Sequence, residues 1–213
     1  MTNLKVAVID YGMGNVWSVL SALRFLGVEA KLVNDPEDLL KYSCMILPGV
    51  GSFRRAMESI RERKLEDAIH TAVNERGAKI LGICLGMQLL GTHSSEDGKS
   101  SGLGLIDVDV QIFDDEELQG NKIPHVGFNQ IQFSDNAGFF AGLPEKADFY
   151  FVHSFRMMPN ENAVDRYATC HYGIEFMAAF EVGNIYGAQF HPEKSQTNGL
   201  IMLKNFLEGA ESC

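Results

Sequence analysis

The chain has 213 residues, 46% of them hydrophobic, and a formal net charge of −10. That length supports one large domain with a substantial core, and the acidic balance repels phosphate backbones, so nucleic acid is excluded as an expected partner. Four cysteines (Cys44, Cys84, Cys170 and Cys213) show no CxxC spacing, which argues against a zinc site or disulfide framework.

No leader-like N-terminus and no apolar run of membrane-spanning length is visible, so a cytoplasmic chain that touches no membrane is expected. The segment 5–11, KVAVIDY, reads as a buried strand, short and followed at once by glycine. Asn15 is placed to cap a helix in which Val16, Val19, Leu20, Leu23 and Leu26 recur at helical spacing, with Gly27 as its stop. EAKLVN (29–34) and SCMILPG (43–49) read as strands, and 52–76 as one helical stretch closed by Gly77. AKILGIC (78–84) is a fourth strand, and 85–91 starts another helix.

Such alternation implies a parallel sheet. From 103 to 191 strand-like text dominates: LGLIDVDVQIF, IPHVGFNQIQF, DFYFVHSFRM, FMAAFEV and NIYGAQFHP. A final helix is expected over 195–208, using Leu200, Leu203, Phe206 and Leu207. The expected fold is α/β: an open, mostly parallel sheet flanked by helices and extended by antiparallel strands. With no linker, repeat or low-complexity tract, 1–213 is expected to be a single domain.

Three stretches could carry chemistry. Gly82-Ile83-Cys84-Leu85-Gly86 has the G-x-nucleophile-x-G form of a nucleophile elbow. A cysteine there would occupy a strained strand-to-helix turn, where helical N–H groups favour a thiolate and offer donors to an oxyanion. An inert buried cysteine is the plainer reading, and it suits Cys44 and Cys170. In AQFHPEKS (188–195), His191 and Glu193 lie two apart at an apparent strand end, so their side chains should leave one face as base and orienting carboxylate. His70, His93 and His171 are read as histidines with local contacts only. In LPGVGSF (47–53), glycines at 49 and 51 free the backbone to approach a ligand or turn a peptide. Folding should bring the sulfur of Cys84 within hydrogen-bonding distance of His191. The loop DYGMGN (10–15) contains GxG but has Trp17 where a dinucleotide fingerprint needs its third glycine, so it is kept only as a contact surface.

Together, in this order, these sites resemble the class I (triad) glutamine amidotransferases, and within them the glutaminase subunits of imidazole glycerol phosphate synthase. The resemblance rests on DYGMGN, LPGVG, LGICLGMQLL, KIPHVGFNQ, FYFVHSF, YGAQFHPEKS and MLKNFLE, spanning residues 10 to 208. It implies a flavodoxin-like fold and a Cys84-His191-Glu193 triad that cleaves the side-chain amide of L-glutamine, with no metal or cofactor. Leu85 and the Val50–Gly51 peptide would supply oxyanion donors. Gly49, Gln88 and Glu96, with the backbone around His153, Ser154 and Phe155, would hold glutamine. Ammonia would pass to a (β/α)₈ cyclase partner of a heterodimer, which makes imidazole glycerol phosphate and an aminoimidazole carboxamide ribotide in histidine biosynthesis. Met13, Asn15, Phe128 and Lys194 would face that partner. The two glycines of the loop, Gly49 and Gly51, would let partner or acceptor binding switch the oxyanion donors on.

Family members usually carry PHMGWN, whereas this chain has Val126 and Phe128 in PHVGFN, and Gln196 follows HPEKS. Such variants resemble paralogues that feed ammonia to a sugar amidotransferase of surface-polysaccharide loci. A third reading, a non-catalytic scaffold of the same fold, sits poorly with an intact Cys84, His191 and Glu193.

Overall fold

A computed structural model describes residues 4–114, 116–133, 135–158, 160 and 162–208, so Cys213 lies outside the described residues. In chain order the elements are β1 (Lys5–Ile9), α1 (Val16–Phe25), β2 (Glu29–Val33), α2 (Pro36–Leu39), β3 (Cys44–Gly49), α3 (Phe53–Glu62), α4 (Leu65–His70) and β4 (Lys79–Cys84). Next come α5 (Leu85–Leu89), β5 (His93–Ser94), β6 (Ser100–Ser101), β7 (Val110–Ile112), β8 (His125–Phe133), β9 (Ala147–His153) and β10 (Phe155–Met157). The chain closes with β11 (Arg166–Tyr172), β12 (Ile174–Val182), β13 (Ile185–Ala188) and α6 (Gln196–Glu208).

Strand β1 is covered on both faces. Val6 and Val8 enter one hydrophobic cluster with α1 and α6, while Ala7 and Ile9 enter the other with α3 and α4. Strands sandwiched in this way read as unbroken apolar text, which is why β1, β3 and β4 stand out in the sequence. Parallel pairing gives the order β2-β1-β3-β4-β13, the doubly wound arrangement of flavodoxin-like folds. Beyond β13 the sheet turns antiparallel through β12, which pairs with β13, β10 and β11; β8 then joins β11 to β9. The expected α/β architecture is the one found.

Several local expectations differ. Asn15 stands at the start of α1 but makes no side-chain cap hydrogen bond. Gly27 does end that helix: its φ is 77°, its N–H donates to Arg24 O, and Val28 N–H donates to Leu23 O. The stretch 52–76 is not one helix. Apolar residues run Phe53, Ala56, Met57, Ile60 and then Leu65, Ala68, Ile69. The step of five between Ile60 and Leu65 breaks the helical phase, and Lys64 turns left-handed, φ 58°, to bring the second stripe back onto the core.

LGLIDVDVQIF yields only the short β7. The N–H groups of Leu103, Gly104 and Leu105 instead serve the carbonyls of Leu89, Gly91 and Leu90, covering the open end of α5. DFYFVHSFRM splits at Ser154 because β9 pairs with β8 whereas β10 pairs with β7 and β12. Strand β11, RYATCHY, lacks an apolar run or clean alternation because polar residues interrupt it. No helix among the described residues is long and apolar enough to cross a membrane.

Candidate active site

Strand β4 ends at Cys84 and α5 begins at the next residue, so the sulfur stands on a strand-to-helix corner. Its φ of 55° and ψ of −112° fall where side-chain-bearing residues are strained. The flanking glycines are set by backbone crowding. A Cβ on Gly82 would come within 2.6 Å of the Gly86 carbonyl oxygen, and one on Gly86 would overlap the Leu47 carbonyl of β3. The β3–β4 ladder puts Gly49 directly beside Cys84. Past it, Gly51 has φ 99°, and Met13 Cε lies against it.

His191 reaches this corner from β13, though not along a strand as the sequence reading has it. β13 ends at Ala188, and His191 opens a tight turn, Pro192–Lys194. The turn is pinned: His191 N–H donates to Tyr150 O at 2.9 Å, and Ser195 Oγ donates to His191 O at 2.7 Å while accepting Tyr150 N–H at 3.0 Å. It brings His191 Nδ1 to 2.8 Å from Glu193 Oε1, with both side chains almost wholly buried. A carboxylate only accepts, so Nδ1 carries a proton and Nε2 is the atom free to exchange one. Burial lowers the proton affinity of His191, but Cys84 and Glu193 outweigh it and raise its pKa to about 9.

The expected contact between Sγ and Nε2 falls short of good hydrogen-bond geometry, and Nε2 is buried with no well-aligned partner. Cys84 still lies near enough that hydrogen bonding to it, and then its charge, help raise the pKa of the ring. Sγ instead lies 3.7 Å from Val152 O and 3.9 Å from Gln189 Nε2. Nucleophile–base pairs are commonly loose in free enzymes and tighten around substrate.

A cavity of about 300 Å³ opens at Cys84, within the size range of small-molecule sites. Val50, Gly51, Leu85, Gln88, Glu96, His153, Ser154 and Phe155 line it with Cys84, and Pro124 and Val152 complete the wall. Glu96 accepts the Phe53 N–H at 2.8 Å, and burial raises its pKa. Gln88 donates from Nε2 to Phe155 O at 2.9 Å. His153 lies 3.0 Å from His125, and burial lowers their pKa values to about 3 and about 4, so both are neutral near pH 7. A larger opening, about 780 Å³, runs along β8 and β11 and touches none of the candidate catalytic, substrate-binding or partner-facing residues.

Phe128 is 53% exposed on β8, with its ring 5.5 Å from Tyr150, and Lys194 Nζ lies 5.8 Å from that same Tyr150 ring. Val126 and Val152, paired across β8 and β9, are exposed too, and so is Val50 at the cavity. These side chains form an apolar surface running up to the opening. Asn15 is half-buried at the head of α1.

Sequence reasoning passed over Gln189, a fully buried amide beside the sulfur, and Tyr11, whose buried hydroxyl has no hydrogen-bond partner. Burial, and secondarily Cys84, push the Tyr11 hydroxyl well above its ordinary pKa. A lone polar residue inside apolar text, as in YGAQF, was the available signal for Gln189. Cys44 and Cys170 are free thiols pushed up to about 12 by burial, as inert core cysteines should be. His70 and His93 make local contacts, with Asn74 and Asp109. Among the described residues no group of three or more potential ligands is placed to hold a metal ion.

Residues 7–210 match the family model described as glutamine amidotransferase class-I. The imidazole glycerol phosphate synthase subunit HisH of Moorella thermoacetica is 45% identical over 95% of this chain and 94% of its own length. The subunit HisH of Geobacter sulfurreducens is 44% identical over 96% of this chain and 98% of its own, and HisH 1 of Parasynechococcus marenigrum 43% over 95% and 97%. A solved glutamine amidotransferase superposes with a TM-score of 0.76 over 97% of this chain and 98% of its own, at 22% identity, a likeness of fold. The chain belongs to the class I glutamine amidotransferases.

Proposed function

We propose that this chain is the glutaminase subunit of an imidazole glycerol phosphate synthase. In this reading Cys84 has given its proton to His191 Nε2, whose raised pKa favours the imidazolium, and the Sγ thiolate attacks the side-chain carbonyl of L-glutamine. The resulting oxyanion takes hydrogen bonds from the Leu85 N–H and the Val50–Gly51 peptide. His191 returns the proton to the departing nitrogen, releasing ammonia and leaving a glutamyl thioester. A water that gives its proton to the same Nε2 then cleaves the thioester to glutamate and frees the thiol. Glu193 holds the imidazole by Nδ1–H and stabilises the imidazolium in both halves of the cycle. Gly49, Gln88, Glu96 and the turn His153-Ser154-Phe155 hold the amino acid.

The observation that carries this reading is a strained Cys84 at the wall of one small cavity, with a buried, carboxylate-held His191 close enough to interact with its sulfur. The HisH names of relatives above 40% identity support an imidazole glycerol phosphate synthase as the customer; in this reading its other subunit is a (β/α)₈ cyclase docked through Met13, Asn15, Phe128 and Lys194. The apolar surface of Val126, Phe128 and Val152 suits a protein partner that seals a path for ammonia. The free thiols of Cys44, Cys84 and Cys170 suit a reducing cytoplasm. The Val126 and Phe128 departures favour, as a second reading, a sugar amidotransferase as acceptor. Treating the assembled complex with a diazoketone analogue of glutamine tests the chemistry. One adduct on Cys84 is expected; no adduct, or one on another residue, would contradict the assignment.

A further inference from the structure

Between β13 and His191 the chain passes through Gln189, whose side chain is fully buried and whose N–H donates to Ala178 O at 2.8 Å. Which end of this amide faces the sulfur can be settled from a backbone carbonyl. Phe155 O can only accept, and Gln88 Nε2 lies 2.9 Å from it, so that nitrogen is correctly assigned as a donor. The same Gln88 Nε2 lies 2.9 Å from a side-chain atom of Gln189. A primary amide nitrogen has two hydrogens and no lone pair to offer, so the atom it meets is the Gln189 oxygen. The NH₂ of Gln189 therefore points the other way, where Cys84 Sγ lies at 3.9 Å. His153 Nδ1, at 2.8 Å, contacts Phe155 O as a second donor and holds the origin of the chain still.

Two opposed partners thus meet the sulfur. Val152 O, at 3.7 Å, accepts the thiol hydrogen and so favours S–H. An amide N–H has nothing to give a thiol proton but donates to a thiolate, and so favours S⁻.

We propose that Gln189 is a positioning residue for the nucleophile. Its side-chain amide, locked through Gln88 to the Phe155 carbonyl, donates to the Cys84 sulfur and holds the thiolate toward the cavity once its proton has left for His191. This rests on the reading of Cys84 as the nucleophile. It also gives Gln88 a second duty: both hydrogens of its amide are spent on internal acceptors, one of which orients the donor to the sulfur.

The test is alkylation of Cys84 by iodoacetamide in the full chain, followed by peptide mass across a pH series. It compares wild type with Gln189→Met, which has similar length and no donor, and Gln189→Asn, which withdraws the donor by one methylene. His191 and Tyr11, the other ionisable groups acting on the sulfur, are unaltered in both variants. The rate profile should move to higher pH, with alkylation at pH 7 slowed about tenfold for each pH unit of displacement. A merely structural role would lower the plateau rate or the melting temperature and leave the midpoint in place. An unmoved midpoint in whichever variant folds overturns the inference and leaves the nucleophile assignment standing. Absence of Cys84 alkylation in wild type at every pH overturns that assignment, and the inference with it.

Discussion

His191 Nδ1 lies 2.8 Å from Glu193 Oε1, and a turn rather than a strand holds the two together. Against burial, which lowers it, Cys84 and then the carboxylate raise the His191 pKa to about 9, above the unfolded value of 6.5. A group whose pKa rises on folding contributes stability that is fully present below its unfolded pKa and lost as pH climbs through its folded one. Glu193→Gln should therefore melt earlier than wild type at pH 5–6.5, where the imidazolium is fully formed. The gap should narrow between pH 6.5 and 9. Thermal melts of both proteins across that range check it, and a gap that widens with pH would be the wrong sign.

The conformation of Cys84 makes an unusual ordering of two variants. At an ordinary position glycine is less stable than alanine by roughly 0.5–1 kcal/mol. Here φ is 55° and ψ is −112°, so a Cβ is strained. Cys84→Gly should match or exceed Cys84→Ala in stability, which denaturant midpoints would measure. Alanine ahead by a full kcal/mol would mean the corner is relaxed.

Crowding predicts a contrast between two glycines. Gly86→Ala drives a Cβ into the Leu47 carbonyl of a central strand, and that backbone has no room to yield. A loss of about 3 kcal/mol is expected. Gly51→Ala meets only the flexible end of Met13, but its φ of 99° resists a side chain. That variant should remain folded and lose glutaminase turnover through the loop peptide. Melting temperatures and glutamine turnover, measured together, separate the two.

The exposed ring of Phe128 should matter to association and hardly to folding. Phe128→Ala is expected to weaken binding of the (β/α)₈ partner about tenfold or more while leaving the melting temperature unchanged. Titration calorimetry with the purified partner decides this. Rescue of a histidine auxotroph lacking the subunit would favour the histidine-pathway customer over a sugar amidotransferase; failure to rescue, with a non-barrel synthetase co-purifying, would favour the latter.

The parallel half of the fold was legible because doubly covered strands leave runs such as VAVI and MIL that need no alternation to be seen. The antiparallel half was harder. Leu103 to Val108 looked like a strand because its apolar residues are buried, yet its N–H groups serve the end of α5, a partner remote in sequence periodicity. β11 is half polar because part of it faces solvent between β12 and β8. At the site, the glycines around Cys84 announced the corner, and HPE announced the oriented histidine. The geometry that joins His191 to Glu193 was not legible, since two residues apart fits a strand and a tight turn equally well. Gln189 is marked in sequence only as a lone polar residue in YGAQF, and neither it nor Tyr11 can be tied to the sulfur until the neighbours of each are known.

The central claim is that the Cys84 sulfur performs the attack on glutamine. Its most direct test is Cys84→Ala assembled with the (β/α)₈ partner and assayed in parallel with glutamine and with free ammonia. Glutamine-dependent synthesis should fall by on the order of 10⁶, as for other triad nucleophiles, while ammonia-dependent synthesis continues at the wild-type rate. Persistence of glutamine-dependent synthesis, or loss of both activities together, would contradict the assignment.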